Sequence, residues 1–268
     1  MISKDQFLEL CKELFYDSTD RIVDIPGIGP TELYEEPLIG FASADDEIFD
    51  AYLRQEAIGS MFRKPAEWLP EAKTVVAFFF PFTEQVRVTN SRLAEEPSVE
   101  WLYARIEGQA FLNGMMRAIR DRLLEDGITS CIPAQDPRFG LEKVRDESGE
   151  DFHTNCAWSE RHAAYACGLG TFGLSRGLIT KKGVAGRFAS IILSERYELN
   201  QRDYTGIYDY CIRCGVCAVN CPVGAISLDY GKNNLICNIY VDKMLARYSP
   251  RYGCGKCQVG VPCETCRP

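Results

Sequence analysis

The chain has 268 residues, more than the roughly 100 to 150 of a typical domain, so two folding units are expected. With 46% hydrophobic and 11% aromatic residues, it has the composition of a globular protein and not of a disordered one. The formal net charge of -8 is uneven, because residues 1–200 carry 22 Lys and Arg against 33 Asp and Glu, whereas residues 201–268 carry 8 against 5. Binding to a phosphate backbone relies on a basic surface, so nucleic acid is not an expected partner.

The start of the chain shows no targeting segment. Met1 to Gln6 lacks the basic and apolar regions of a signal peptide. No stretch of about 18 apolar residues occurs that could span a membrane. We therefore expect a cytoplasmic protein without membrane contact, and the reducing cytoplasm suits a chain whose cysteines stay as thiols.

The first elements are predicted from local signals. Ser3 and Gln6 have the spacing of a capping box before apolar residues at helical spacing, which predicts a helix to about Tyr16. The Pro- and Gly-rich residues 26–30 predict a loop. Residues 45–62 predict a second helix, since an acidic start suits a helix N-terminus.

The middle of the chain alternates between predicted strands and helices. Residues 74–80 are a continuous apolar run of strand length, which predicts a central strand. Further along, we predict a long helix at 99–125, a short strand at 130–133, a helix at 159–167 and an apolar strand at 188–193. The polar residues 136–151 predict a mobile loop over a site. This order indicates an α+β (α/β-like) core and leaves the parallel or antiparallel sense of the sheet open.

Nine of the 13 cysteines lie in the last 58 residues. Four of them read Cys211-x2-Cys214-x2-Cys217-x3-Cys221-Pro222, the spacing by which bacterial ferredoxins hold 4Fe-4S clusters. Zinc sites usually use two separated Cys-x2-Cys pairs, and disulfide frameworks suit small secreted domains. Neither alternative accounts for this run, so it predicts an electron-handling protein.

The fourth cysteine of such a run binds a second cluster, so further ligands are needed. We expect one cluster on Cys211, Cys214, Cys217 and Cys263, and a second on Cys221, Cys237, Cys254 and Cys257. Cys266 replaces Cys263 in the alternative assignment, because sequence cannot separate two cysteines three residues apart. The predicted division of the chain is a main domain at 1–200 and a ferredoxin-like domain with two 4Fe-4S clusters at 201–268.

Residues 158–175, WSERHAAYACGLGTFGLS, are followed by Leu-Ile-Thr-Lys-Lys-Gly and an apolar strand. This order resembles the epoxyqueuosine reductase and reductive dehalogenase superfamily, in which a Glu-Arg helix and a Gly-Leu-Gly turn precede a double-cluster domain. Cys237-Asn-Ile-Tyr240 and Tyr252-Gly-Cys-Gly-Lys-Cys257 also look like elements of that family. Together with the Trp-Leu-Pro-Glu-Ala-Lys segment at 68–73, the similarity spans most of residues 65–263.

The resemblance implies a core related to flavin nitroreductases that binds cobalamin against the nearer cluster. Electrons would pass from a low-potential donor such as ferredoxin or flavodoxin, through both clusters, to cobalt and a small organic substrate. The residues expected to contact cobalamin are Gly168, Gly170, Thr171, Phe172, Gly173 and Leu174. The alternative for the glycines is a helix C-cap and a tight turn.

The chain also departs from the family. Thr154 stands where epoxyqueuosine reductases have a catalytic aspartate, and a threonine is no carboxylic proton donor. Leu174-Ser175 replaces their Lys-His, the helical-repeat extension of many members that act on transfer RNA is missing, and there is no twin-arginine signal of respiratory dehalogenases. Action on transfer RNA is therefore not expected.

The candidate catalytic residues are His153, Thr154, Arg161 and Tyr165. His153 precedes the position of the missing aspartate and is a candidate proton donor, whereas Arg161 and Tyr165 could face a corrin or a substrate anion. The alternatives are an ion pair for Arg161, a buried structural role for His162, and inert core positions for Cys156 and Cys167.

Three functions compete. The first is a cobalamin- and iron-sulfur-dependent reductase of a small organic substrate. The second is an electron-transfer or reductive-activation protein that serves a partner, such as a corrinoid protein, without substrate chemistry of its own. The third is a cluster protein whose corrin pocket holds flavin or nothing. The missing aspartate favours the last two, and the Gly-Leu-Gly segment favours the first.

Overall fold

The computed structural model describes residues 2–268. The helices are α1 (Lys4–Asp17), α2 (Ile48–Ala51), α3 (Pro65–Trp68), α4 (Glu84–Arg92), α5 (Val99–Glu125), α6 (Glu160–Ala166), α7 (Val216–Val219) and α8 (Asn234–Tyr248). The strands are β1 (Ile22–Ile25), β2 (Gly29–Glu32), β3 (Leu38–Ser43), β4 (Thr74–Pro81), β5 (Ser130–Cys131), β6 (Leu141–Arg145), β7 (Phe152–Cys156), β8 (Gly170–Phe172), β9 (Leu178–Thr180), β10 (Gly186–Leu193), β11 (Ile226–Ser227) and β12 (Gly231–Lys232). The predicted mixture of helices and strands is confirmed.

A four-stranded sheet in the order β3-β4-β10-β5 forms the centre of the fold, and its neighbouring strands are antiparallel. Every residue of β4 is buried, because helices cover both faces of the sheet. This explains why the strand reads as a continuous apolar run and not as an alternating one. The central strand predicted at 74–80 is therefore confirmed, and its partners settle the sense of the sheet.

The two faces of the sheet carry different cores. On one face, side chains such as Phe78 and Phe80 of β4 pack with α1 and with Phe111 of α5. On the other face, the intervening side chains, such as Phe79, pack with α6 and with Trp158. Successive side chains of a strand point to opposite faces, so β4 contributes to both cores.

Local signals placed the long helices correctly. The Ser3 hydroxyl accepts from the Gln6 backbone N–H while the Gln6 side chain accepts from the Ser3 N–H, so the predicted capping box is present. Helix α5 spans the predicted 27 residues, and Ser98 caps its N-terminus by accepting from the Trp101 N–H. Capping side chains satisfy backbone donors that the first helical turn leaves free.

Two predicted elements are wrong. Only Ile48–Ala51 of the helix expected at 45–62 is helical, and the rest forms turns. Phe49, Tyr52 and Phe62 pack in one aromatic cluster with Trp158, an arrangement for which the chain must bend. Tertiary packing thus outweighs helix propensity here.

The loop expected at 136–151 is largely a β-hairpin. Strand β6 pairs with β7 in the register Leu141↔Cys156 to Arg145↔Phe152. Asp151 fixes the hairpin to the start of α8, where its carboxylate accepts from the N–H groups of Asn234 at 2.7 Å and Leu235 at 3.1 Å. These bonds join residues more than 80 positions apart, so the local sequence does not reveal them.

No helix within residues 2–268 is both long and apolar enough to cross a membrane.

We predict that Gly170→Ala lowers the free energy of unfolding by about 3 kcal/mol, the upper end of the usual cost of overpacking. A Cβ at Gly170 would lie 1.9 Å from the Ile179 carbonyl oxygen, which belongs to the paired strand β9. Gly114→Ala is the matched control, because only the end of the Arg117 side chain, at 3.9 Å, lies near its Cβ. It should raise stability by about 0.5 to 1 kcal/mol. Chemical denaturation measures both, and an unchanged midpoint for Gly170→Ala would contradict the packing.

Candidate metal centre

Four cysteines line one small cavity in the C-terminal region. They are Cys211, Cys214 and Cys217 from the loop before and within α7, and Cys263 near the end of the chain. Gly173, Leu174 and Ser175 of the main domain close the same cavity. The Leu174 N–H donates to the Cys211 Sγ at 3.4 Å. Hydrogen bonds of this kind to ligand sulfurs are a general feature of iron-sulfur sites.

A second group of thiols is supplied by α8 and the chain on either side of it. Cys221, Cys237 of α8, Cys254 and Cys257 influence one another electrostatically. The Ala225 N–H donates to the Cys221 Sγ at 3.2 Å. The structure therefore brings the eight cysteines into one region of the molecule, where Cys257 of the second predicted group also acts on Cys217 of the first. Their division into two groups of four stays a prediction, as does their role as cluster ligands.

Burial, with repulsion from neighbouring cysteines, raises the thiol pKa of Cys217 and Cys263 in the first group and of Cys254 and Cys257 in the second. Burial raises the pKa of Cys217 to about 11, and the nearby Cys257, Cys211 and Cys214 add to the shift. Burial raises the pKa of Cys254 to about 12, with further contributions from Cys257 and Cys237. Thiolates crowded in this way need a cationic partner, and metal binding displaces the protons. Each group thus fits a four-iron cluster in its donor chemistry.

Cys263 and Cys266 differ in their surroundings. Cys263 lines the cavity, and burial raises its pKa to about 12, followed by the effects of Cys217 and Cys211. Cys266 is exposed, and its Sγ lies 3.6 Å from the Pro262 carbonyl oxygen. The geometry favours Cys263 as the fourth ligand of the first group. Within residues 2–268, no group of three or more His, Cys, Asp or Glu side chains is arranged around a single metal ion.

The residues predicted to contact cobalamin do not form one surface. Gly168 ends α6 in a left-handed conformation, and a Cβ there would lie 3.2 Å from Asn200. The Thr171 hydroxyl accepts from the Tyr210 N–H at 2.9 Å, while the Phe172 ring packs on His162 at 4.8 Å. Gly170 is closed off by strand β9.

Only Gly173 and Leu174 border a cavity, and it is the cavity lined by the cysteines. As a set, these six residues therefore do not fit a macrocycle. A separate cavity of about 450 Å³ lies beside the ion pair of Asp46 and Arg202 and contains none of the predicted site residues.

The four candidate catalytic residues lie on two elements. His153 is half-buried and Thr154 is exposed on β7, opposite Val144 and Lys143. Arg161 and Tyr165 belong to α6. Among the described residues, no hydrogen bond or ion pair joins the β7 residues to those of α6. Their convergence on one substrate stays a prediction.

Arg161 lies in the first turn of α6. Its side chain is exposed to solvent, yet surrounding protein lowers its pKa, as does the neighbouring Arg105, while Cys257 opposes the shift. Its Nη1 donates to the Arg176 carbonyl oxygen at 2.6 Å. Arg161 therefore connects the second cysteine group with the main domain.

Tyr165 and His162 belong to an aromatic cluster. The Tyr165 ring lies 4.9 Å from Tyr204 and is buried. Burial lowers the pKa of His162 to about 3, and its Nδ1 is hydrogen-bonded to the Ser159 hydroxyl at 2.8 Å. A histidine held neutral in this way matches the structural role considered for it.

Two charged residues were missed by sequence reasoning. Glu160 was interpreted only as the start of a helix, but its Oε2 is buried without a hydrogen-bond partner. Burial raises its pKa to about 7, and a hydrogen bond with Ser190 opposes the shift. Lys256, between Cys254 and Cys257, is 3% exposed. No local signal marks either residue, because burial depends on the distant elements that cover them.

Comparisons with known proteins identify the cysteine region and the fold. The 4Fe-4S binding domain family matches residues 204–227, which supports 4Fe-4S binding by this segment. No curated protein matches the chain.

Solved structures of epoxyqueuosine reductases and of reductive dehalogenases are similar to it. Epoxyqueuosine reductase from Bacillus subtilis shares 18% identity at a TM-score of 0.54, over 97% of this chain and 65% of that one. An epoxyqueuosine reductase with a modified tRNA stem loop shares 18% at 0.55, with the same coverage. A catabolic reductive dehalogenase shares 16% at 0.50, over 86% of this chain and 30% of that one.

The chain therefore shares the fold of these epoxyqueuosine reductases and of the reductive dehalogenase, and the resemblance found in the sequence is confirmed at the level of the fold. The chain spans 65% of the length of the epoxyqueuosine reductases named above. Because one of them holds a tRNA stem loop, the expectation that nucleic acid is not a partner is not confirmed.

We predict that Glu160 makes folding stability depend on pH. In the folded protein the pKa of the Glu160 carboxyl is raised from 4.5 to about 7. Such a group stabilises the fold fully below pH 4.5, and this stabilisation is lost as pH rises through about 7. At 1.36 kcal/mol per pKa unit, the loss amounts to about 3 kcal/mol. The free energies of unfolding of the wild type and Glu160→Gln should be compared from about pH 5 to pH 8. As pH rises, the stability of the variant relative to the wild type should increase by that amount.

Glu147→Gln, at an exposed glutamate, serves as the control and should leave the pH profile unchanged. Parallel profiles for the wild type and Glu160→Gln would show that Glu160 ionises normally.

Proposed function

We propose that the protein is a 4Fe-4S oxidoreductase that passes electrons through two clusters to a reductive centre in its main domain, for reduction of a small organic substrate. The observation that carries this proposal is the gathering of eight cysteines in one region, four of them around one cavity. The 4Fe-4S domain match and the superfamily fold support it. Residues 1–200 supply the reductive domain and residues 201–268 supply the clusters.

The positions of the two groups suggest a direction for the electrons. Cys214 of the first group is exposed, so a cluster there would lie within reach of an external donor. Cys257 of the second group is half-buried and lies close enough to Arg161 to act on it electrostatically. Electrons from a low-potential protein such as ferredoxin or flavodoxin would enter at the first cluster and leave from the second.

The identity of the group that receives the electrons is a separate part of the proposal. A corrinoid agrees with the superfamily fold, and Arg161 of the main domain lies within electrostatic range of Cys257 of the second group. The predicted contacts from Gly168 to Phe172 do not fit it, so no step of the proposal passes through a corrin. Its uptake is a question for experiment.

A second function is favoured by the dispersed catalytic candidates. Thr154 is exposed and replaces a carboxylic acid, and the β7 and α6 residues are not joined. A protein that delivers low-potential electrons to a partner, such as a corrinoid protein, would need the two clusters but no such constellation.

We predict that anaerobic reconstitution loads about eight iron atoms per chain, two clusters of four. Cys217→Ser should remove one cluster and roughly halve iron and visible absorbance, because the second group keeps its four thiols. Cys263→Ser should do the same, whereas Cys266→Ser, three residues further on, should load like the wild type. If Cys263→Ser loads iron fully and Cys266→Ser loads half, then Cys266 and not Cys263 would be the fourth ligand of the first cluster.

Corrinoid binding separates the two functions. If the main domain holds the acceptor, reconstituted protein incubated with hydroxocobalamin should retain a corrinoid absorbance band after gel filtration. Arg161→Ala should lose that band with its iron content unchanged, and Arg145→Ala, in the β6–β7 hairpin, is the control. Retention of iron without corrinoid in the wild type would contradict a resident corrin and leave delivery to a partner as the function.

A further inference from the structure

Lys256 is a buried cation beside the second cysteine group. It is 3% exposed, and within residues 2–268 it is the one buried Lys or Arg side chain. Its ammonium donates to the Asn90 carbonyl oxygen at 2.5 Å and to the Asn90 Oδ1 at 3.1 Å. Lysine is rarely buried unless its charge is paired, so this position needs an explanation.

The main domain holds this lysine in place. Asn90 of α4 is fully buried. Its Nδ2 donates to the Cys254 carbonyl oxygen at 3.1 Å, and its Oδ1 also accepts from the Ser98 N–H at 3.0 Å. Gly255 lies so close to the Trp101 indole that a Cβ would approach it to 2.0 Å. The loop from Cys254 to Cys257 is thus fixed against α4 and α5.

The hydrogen-bond partners of Lys256 do not neutralise it. Both acceptors are neutral oxygens of Asn90, and among residues 2–268 no carboxylate forms an ion pair with Lys256. A buried charge without a counter-charge costs several kcal/mol. The neighbouring group able to become anionic is the thiolate set that begins with Cys254. A 4Fe-4S cluster on four thiolates is anionic and would be the missing counter-charge.

We propose that Lys256 is a positioning residue that makes the cluster on Cys221, Cys237, Cys254 and Cys257 the easier of the two to reduce. The inference rests on the proposed function, since it assumes two clusters. Net charge and solvent exposure are main determinants of cluster potential. A fixed cation in a water-poor site favours the reduced cluster, which carries one more negative charge.

The first cluster would have no such stabilisation. Arg213, in the loop that carries Cys214, also lines the cavity of the first group, but it is exposed and water screens its charge. The step transfers one electron from the first cluster to the second and breaks no bond. A low-potential donor of the ferredoxin class supplies the electron. The difference in potential would direct electrons inward.

Redox titrations of the reconstituted protein, followed by EPR, test the proposal. Lys256→Met should shift the reduction equilibrium of one cluster at least tenfold toward the oxidised form, about 59 mV for one electron, and leave the other cluster unchanged. Lys256→Arg keeps the charge and should stay near the wild type. Lys243→Met, an exposed lysine on α8 with Cys237, is the matched control and should shift neither potential.

Unchanged potentials in a Lys256→Met protein with wild-type iron content would overturn the proposal and leave the proposed function intact. Wild-type protein that loads no iron would instead overturn the proposed function. If Lys256→Met does not load the second cluster, thermal unfolding of the iron-free wild type and the iron-free variant tests whether Lys256 is a buried charge without a counter-charge. An unneutralised cation destabilises the iron-free wild type, so the variant should melt higher. A lower melting temperature would make Lys256 a packing residue and overturn the proposal.

Discussion

The crowding of eight thiols in two groups is the constraint on which the rest of the structure depends. Cysteines bind metal as thiolates. Burial raises the pKa values of Cys217, Cys254 and Cys263, and the repulsion of neighbouring thiolates adds to the shift. Iron offsets that repulsion, and the protein must hold the sulfurs until it does. Apart from Cys217 in α7 and Cys237 in α8, these cysteines lie outside helices and strands, so other parts of the chain must fix them.

The main domain provides this support. The Leu174 N–H binds the Cys211 sulfur, Asn90 binds the loop of Cys254, and Asp151 caps the helix that carries Cys237. Each contact crosses the predicted boundary between residues 200 and 201. The cysteine region is therefore built on the sheet and helices of the main domain, which is also where an electron leaving the second group would arrive.

Features with local causes could be predicted from the sequence. The capping box at Ser3, strand β4 and helix α5 were found because each depends on neighbouring residues, and the cysteine spacing identified the 4Fe-4S domain for the same reason. The hairpin of β6 and β7 was missed because its anchor is Asp151 at a distant helix. Lys256 was missed because its ammonium binds Asn90, 166 positions away. The cobalamin contacts came from resemblance alone, and protein neighbours fill most of those positions.

The central claim is that the two groups of thiols hold two four-iron clusters. Mössbauer spectroscopy on protein reconstituted with iron and sulfide tests it most directly, together with iron and sulfide analysis of the same sample. The account predicts about eight iron and eight sulfide per chain, all in the signals of 4Fe-4S clusters. About four iron per chain, or iron in single-ion sites without sulfide, would contradict it.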